Sequence, residues 1–115
     1  MNKNSMNRIM LAGFIVEGPS KSVTSNGLEI SSFLLSTEEV YKNKDGVMYD
    51  DNQIHRCVCF GKNAESANKY FGLNQFVYLE GAIRTRESND KDNFPDKITE
   101  VSVNRFTFLD SPSKR

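Results

Sequence analysis

The residues best placed to do chemistry lie between Ile54 and Arg86, in the run IHRCVCFGKNAESANKYFGLNQFVYLEGAIRTR. One apolar stretch ends in Phe60 and Lys62, and a second ends in Arg84 and Arg86, with a short helical stretch between them. Cations and aromatic rings at the ends of two neighbouring strands suit an unpaired nucleic acid strand. Bases stack on ring faces whatever their sequence, and guanidinium and ammonium groups follow the phosphates. Arg8, Arg56, Lys62, Arg84 and Arg86 are the candidate phosphate contacts, and Phe60, Tyr41, Tyr78 and Phe94 are the candidate stacking rings. Each also has a plainer reading. Phe60 on a two-residue alternation could fill the core, and Arg84 and Arg86 could simply solubilise a strand end. Lys62 and Lys69 could form a solvated helix face, and Phe76 and Tyr78 could cover a subunit contact.

Other chemistries find little support. The single histidine, His55, has no partners for acid–base or metal work, and neither a nucleophile motif nor a glycine-rich phosphate loop is present. The sequence is therefore expected to have no catalytic residues, no metal and no cofactor. Cys57 and Cys59 are two apart on one strand, so their side chains point the same way roughly 7 Å apart, too far for an unstrained disulfide. They read as buried, reduced thiols in a reducing compartment. The 115 residues carry 15 basic and 15 acidic side chains, so net charge gives no argument for a polyanionic ligand and only placement can. No apolar run reaches the roughly 20 residues of a membrane helix, and the N-terminus does not read as a secretory signal. A cytoplasmic location is expected.

The elements that must position these groups follow from periodicity. Asn7 to Val16 reads as a long first strand, apolar on both sides and well buried, with Gly13 marking a bulge or bend. Glu17 to Gly27 reads as a loop with turn signals at Gly18-Pro19 and Asn26-Gly27, and Leu28 to Thr37 as a second strand. Glu38 to Gln53 reads as a long hairpin or flexible loop, acidic through Glu38, Glu39, Asp50 and Asp51 and turning at Lys44-Asp45-Gly46. In the third strand, Ile54 to Phe60, alternation separates Ile54, Arg56, Val58 and Phe60 from His55, Cys57 and Cys59. A helix is expected over Asn63 to Phe71, stopped by Gly72, followed by strands at Gln75 to Arg86 and Ile98 to Leu109. Val77, Leu79, Gly81 and Ile83 should share one face of the fourth strand, with Phe76, Tyr78, Glu80, Ala82 and Arg84 on the other. Strand spacing alone supports a small all-β barrel or sandwich; one helix between strands three and four points to a five-stranded oligonucleotide/oligosaccharide-binding (OB-fold) barrel, taken as one domain over 1–110 with a short disordered tail at 111–115.

The chain also resembles the bacterial single-stranded DNA-binding proteins from about Asn7 to Leu109. The matching residues include Asn7-Arg8-Ile9, Asn26-Gly27, His55-Arg56, Phe60-Gly61-Lys62, Tyr70, Val77-Tyr78, Glu80-Gly81, Arg84-Thr85-Arg86 and Thr99-Glu100-Val101. The resemblance implies an OB-fold barrel, usually a homotetramer, that coats single-stranded DNA without strong sequence preference in replication, recombination or repair, and this chain is expected to form a tetramer or dimer. Carried over by position, Arg8, Arg56, Phe60, Lys62 and Arg86 would contact DNA. His55 would be a hydrogen-bonded residue at a subunit contact, with Phe76 and Tyr78 as further interface candidates. Two departures stand out. Tryptophans expected as stacking platforms are replaced by Val40 (beside Tyr41), Ile54 and approximately Ser88, which makes Ile54 part of the candidate site. The sequence also ends Ser111-Pro112-Ser113-Lys114-Arg115, without the acidic tip that recruits replication proteins, so an accessory, phage or mobile-element paralogue is expected. The alternative function is a protein-interaction module of a replication-restart complex, like primosomal replication protein N, with weak DNA binding.

Overall fold

The computed structural model describes residues 4–87 and 97–109. Five strands and one helix run in the order β1 (Ile9–Val23), β2 (Glu29–Lys42), β3 (Met48–Phe60), α1 (Lys62–Tyr70), β4 (Phe76–Glu87) and β5 (Lys97–Phe108). The sheet closes as β1-β2-β3-β5-β4. All neighbours are antiparallel except β3 and β5, which meet in parallel at Cys57–Val101 and Val58–Ser102. This is the expected OB-fold barrel.

Alternation builds the core. Ile15, Phe33, Leu35, Cys57, Cys59, Val77, Leu79, Val101 and Val103 point inward from the five strands. The helix adds Ala64 and Ala67, small enough to let it lie close against β1, β2 and β3. Phe71 then turns inward, edge-on to Phe33 at 5.1 Å and to Phe106 at 4.7 Å. That inward turn ends the helix: Phe71 is already extended (φ −74°, ψ 145°) while its N–H still bonds Ala67. The expected stop at Gly72 is thereby corrected, since Gly72 does not adopt the left-handed conformation of a glycine cap.

Three other expectations change. The strand does not end at Val16. It passes through Gly18-Pro19 and pairs with β2 again from Ser20–Ser32 to Val23–Glu29, with register shifts at Glu17 that leave Pro19 outside the ladder. Proline cannot donate to a ladder, and a bulge accommodates it without ending the strand. Nor is β1 buried on both sides, because Met10 and Val16 are exposed. Ile83 is exposed too, as β4 runs past the core. Gly13 stands where β1 leaves β4 and joins β2, Phe14 being paired to both Phe76 and Ser36. The 38–53 segment is an ordered hairpin, its strands paired up to Lys42–Met48. At its tip the Asn43 Oδ1 accepts from the N–H groups of Asp45 and Val47, both at 2.9 Å, and Gly46 takes φ 82°.

The two thiols are free and buried. Burial pushes both up to about 12, and in Cys57 the neighbouring Cys59 and Glu100 push the same way. In the unfolded chain a thiol ionises near its ordinary value of about 8.5, so above that pH the unfolded state binds fewer protons than the native one. Stability is therefore expected to be flat up to about pH 8.5 and to fall as pH rises beyond it. Urea unfolding at pH 7.5 and pH 9.5 measures this, and Cys57→Ala/Cys59→Ala should lose most of the difference. Neither thiol should react with a thiol reagent until the chain is unfolded.

Candidate nucleic-acid interface

Register decides which side chains share the outer face. Directly opposed residues point the same way, so Leu34 lies beside Arg56, Ser36 beside Ile54 and Ile30 beside Phe60. Across the parallel contact of Cys57 with Val101, Arg56 is level with Glu100, and Glu100 is opposite Arg84. Leu34, Arg56, Glu100 and Arg84 thus form one row across four strands. Arg56 and Arg84 stand two strand spacings apart, about 10 Å between backbones. The next row holds Ile54 and Arg86. Phe60 is four residues from Arg56 on the same face, about 13 Å along the strand. Lys62 follows it as the first residue of the helix, beyond Gly61 at φ 65°.

Ile54, Arg56 and Phe60 are exposed, whereas Val58 on the same face is covered. Phe60 is 36% exposed and stands outside the core cluster. A cavity of about 190 Å³ opens between Ile54, Arg56, Ile83 and Glu100. Within it Glu100 is only 7% exposed, and its Oε1 accepts from Arg86 Nε at 3.2 Å.

Arg8 and Tyr78 fall into a second group. Arg8 donates to Glu80 Oε1 at 2.6 Å, and the Tyr78 hydroxyl donates to Glu80 Oε2 at 2.7 Å. Arg105 Nε stands 4.0 Å from the same carboxylate. The Tyr78 hydrogen bond, with that of Arg8, holds the Glu80 carboxyl below its ordinary range, and the bond to Glu80 pushes the Tyr78 hydroxyl up. This group shares the outer face of β4 with Arg84 and Arg86, four or more residues away.

Tyr41 belongs to neither group. It pairs with Tyr49, and their rings stack at 5.5 Å and 24°. By register the pair lies on the same face as Glu39–Asp51 and Leu35–His55, the side opposite Arg56 and Phe60. Val40 and Ile54, in contrast, share the face of Arg56 and Phe60, and both are well exposed. Phe94 and Ser88 lie outside the described residues.

The interface candidates sit around β1. Phe76 packs on Phe14 at 4.8 Å, and Tyr78 is opposite Ala12. His55 Nε2 is 2.9 Å from Thr37 Oγ1 and faces a groove shared with Met10 and Ala12. Sequence reasoning missed Glu100 and Glu80 as members of the site. The signal available for Glu100 was a lone carboxylate in the otherwise apolar and hydroxylated strand TEVSV.

A model of the single-strand binding protein family matches residues 6–109. The chain belongs to that family. The family is a non-enzymatic one. Single-stranded DNA-binding protein 1 of Chlorobaculum tepidum is 32% identical over 85 residues, which is 74% of this chain and 52% of the relative. This family member thus spans about half the length of that curated relative. A solved Plasmodium falciparum SSB complex with single-stranded DNA is 29% identical, with a TM-score of 0.84 over 96% of this chain and all of the other. The wild-type single-stranded DNA-binding protein of Thermus aquaticus shares the fold, with a TM-score of 0.80 at 21% identity over 94% of this chain and 52% of its own. No helix among the described residues is long and apolar enough to cross a membrane.

Proposed function

We propose that this barrel binds single-stranded DNA without strong sequence preference, in replication, recombination or repair. The observation that carries the reading is the single outer face on which Arg56, Arg84, Arg86, Ile54 and Phe60 converge, with Lys62 at its end. The matching fold of a relative in complex with single-stranded DNA supports it. Phosphates would follow the cations, and a base would stack on Phe60 and slide against the aliphatic Ile54 and Val40. With no tryptophan in the chain, the proposed affinity is moderate. Arg8 would extend the track beside β4, with Glu80 drawing on its charge.

The proposed assembly is a dimer or tetramer through the outer face of β1 and β4, where Met10, Ala12, Phe76 and Tyr78 are contiguous with the His55 groove. Buried thiols suit a cytoplasmic setting. Labelled oligo-dT should bind in fluorescence anisotropy, with log K falling linearly in log salt at about 0.7 per phosphate neutralised. Absence of binding at low salt would sink the proposal. It would favour the protein-interaction reading, for which the acidic hairpin arm with its Tyr41–Tyr49 stack is the supporting feature.

A further inference from the structure

Glu100 is a carboxylate where a polyanion is proposed to lie. It is level with Arg56, opposite Arg84 and hydrogen-bonded to Arg86, yet almost wholly covered. A bare electrostatic account makes it a defect, because it cancels one of three positive charges. The contact itself suggests otherwise. Arg86 uses only Nε toward Glu100, and no other partner for its guanidinium exists among the described residues. The side chain is 48% exposed, so the guanidinium is anchored at one end and open to solvent elsewhere. A planar guanidinium held this way presents its remaining N–H donors as a fixed fork, the geometry that suits phosphate oxygens. An unheld arginine would have to lose its rotamer freedom on binding.

We infer that Glu100 is a positioning residue for phosphate recognition, fixing Arg86 so that its free donors meet the backbone of the bound strand. The inference rests on the proposed single-stranded DNA function and deepens it. It also makes a counterintuitive demand: removing a negative charge from the site should weaken binding to a polyanion.

Oligo-dT anisotropy over a salt series tests this, with thermal unfolding run alongside. Glu100→Gln should bind about five- to tenfold more weakly than wild type despite the loss of one negative charge. Its salt slope should be shallower by about 0.7, one phosphate contact. Glu100→Asp keeps the charge but withdraws the carboxylate, and should weaken binding in the same way. Arg86→Ala should weaken binding in the wild-type background and add nothing in Glu100→Gln. Binding by Glu100→Gln equal to or tighter than wild type, with an unchanged or steeper slope, overturns the inference. Should neither Glu100 variant fold, Arg86→Lys keeps the charge without the fork, and wild-type binding by it overturns the inference equally. The two levels separate cleanly: a wild-type chain that ignores oligo-dT defeats the function, whereas a wild-type chain that binds and an Arg56→Ala that does not, beside an unaffected Glu100→Gln, defeats only the role of Glu100.

Discussion

Gly81→Ala is expected to destabilise the barrel by at least ~3 kcal/mol, a large share of the roughly 5–15 kcal/mol that holds a domain of this size together. A Cβ at Gly81 would stand 2.1 Å from the Ser102 carbonyl oxygen and 2.9 Å from its carbon. Both are backbone atoms in the β4–β5 ladder, so relief requires the strands themselves to part. Gly13→Ala meets the same obstacle on the neighbouring strand β1, against the Ser36 carbonyl oxygen of β2. Gly72→Ala is the matched control: nothing lies within 4 Å and its φ is not left-handed, so it should be neutral or stabilising by about 0.4–1 kcal/mol. Urea midpoints for the three variants measure these effects. A Gly81→Ala protein within about 0.5 kcal/mol of wild type would show that the barrel does not need strands this close.

Phe60→Ala should cost the proposed oligo-dT affinity about 1–3 kcal/mol, the usual loss of one stacking platform, or about 5- to 150-fold in Kd. Its salt slope should stay where it was, because no charge has changed. The alternative, that Phe60 is a packing residue, makes the opposite forecast of lost stability with intact binding. Phe60 is more than one-third exposed and lies opposite Ile30 on the outer face, which favours the ligand-facing role. Anisotropy and thermal unfolding on the same sample separate the two, and a variant that unfolds earlier but binds as tightly as wild type returns Phe60 to the structural side.

Much of the architecture could be read from local pattern. The alternation that sets Cys57 and Cys59 against Arg56 and Phe60 is a property of one strand, and so is the spacing of Ala64 and Ala67 on the helix. What escaped depends on a partner far away in sequence. The continuation of β1 beyond Gly18-Pro19 is decided by its ladder with Ser32 and Ser31, whereas the dipeptide alone signals a turn. The side on which Tyr41 falls follows from the hairpin register, which the Asn43–Val47 turn fixes. The closeness of Arg86 to Glu100 needs the β4–β5 alignment, including its bulge between Glu80 and Gly81. Side-chain alternation tells which face a residue takes; only pairing tells what it meets there.

The barrel closes through the short parallel contact of β3 with β5, two register pairs against the long ladders elsewhere. Such a closure resembles a split ring, and local opening would begin where the ring is joined by least. Arg56 stands on one bank of the split and Arg84, Arg86 and Glu100 on the other. An oligonucleotide following the proposed track would span the gap and act as an external clasp. Occupancy and breathing of the ring are then linked quantities: a ligand that binds only the closed form stabilises it by RT ln(1 + [L]/Kd), about 2.7 kcal/mol at a hundredfold excess over Kd.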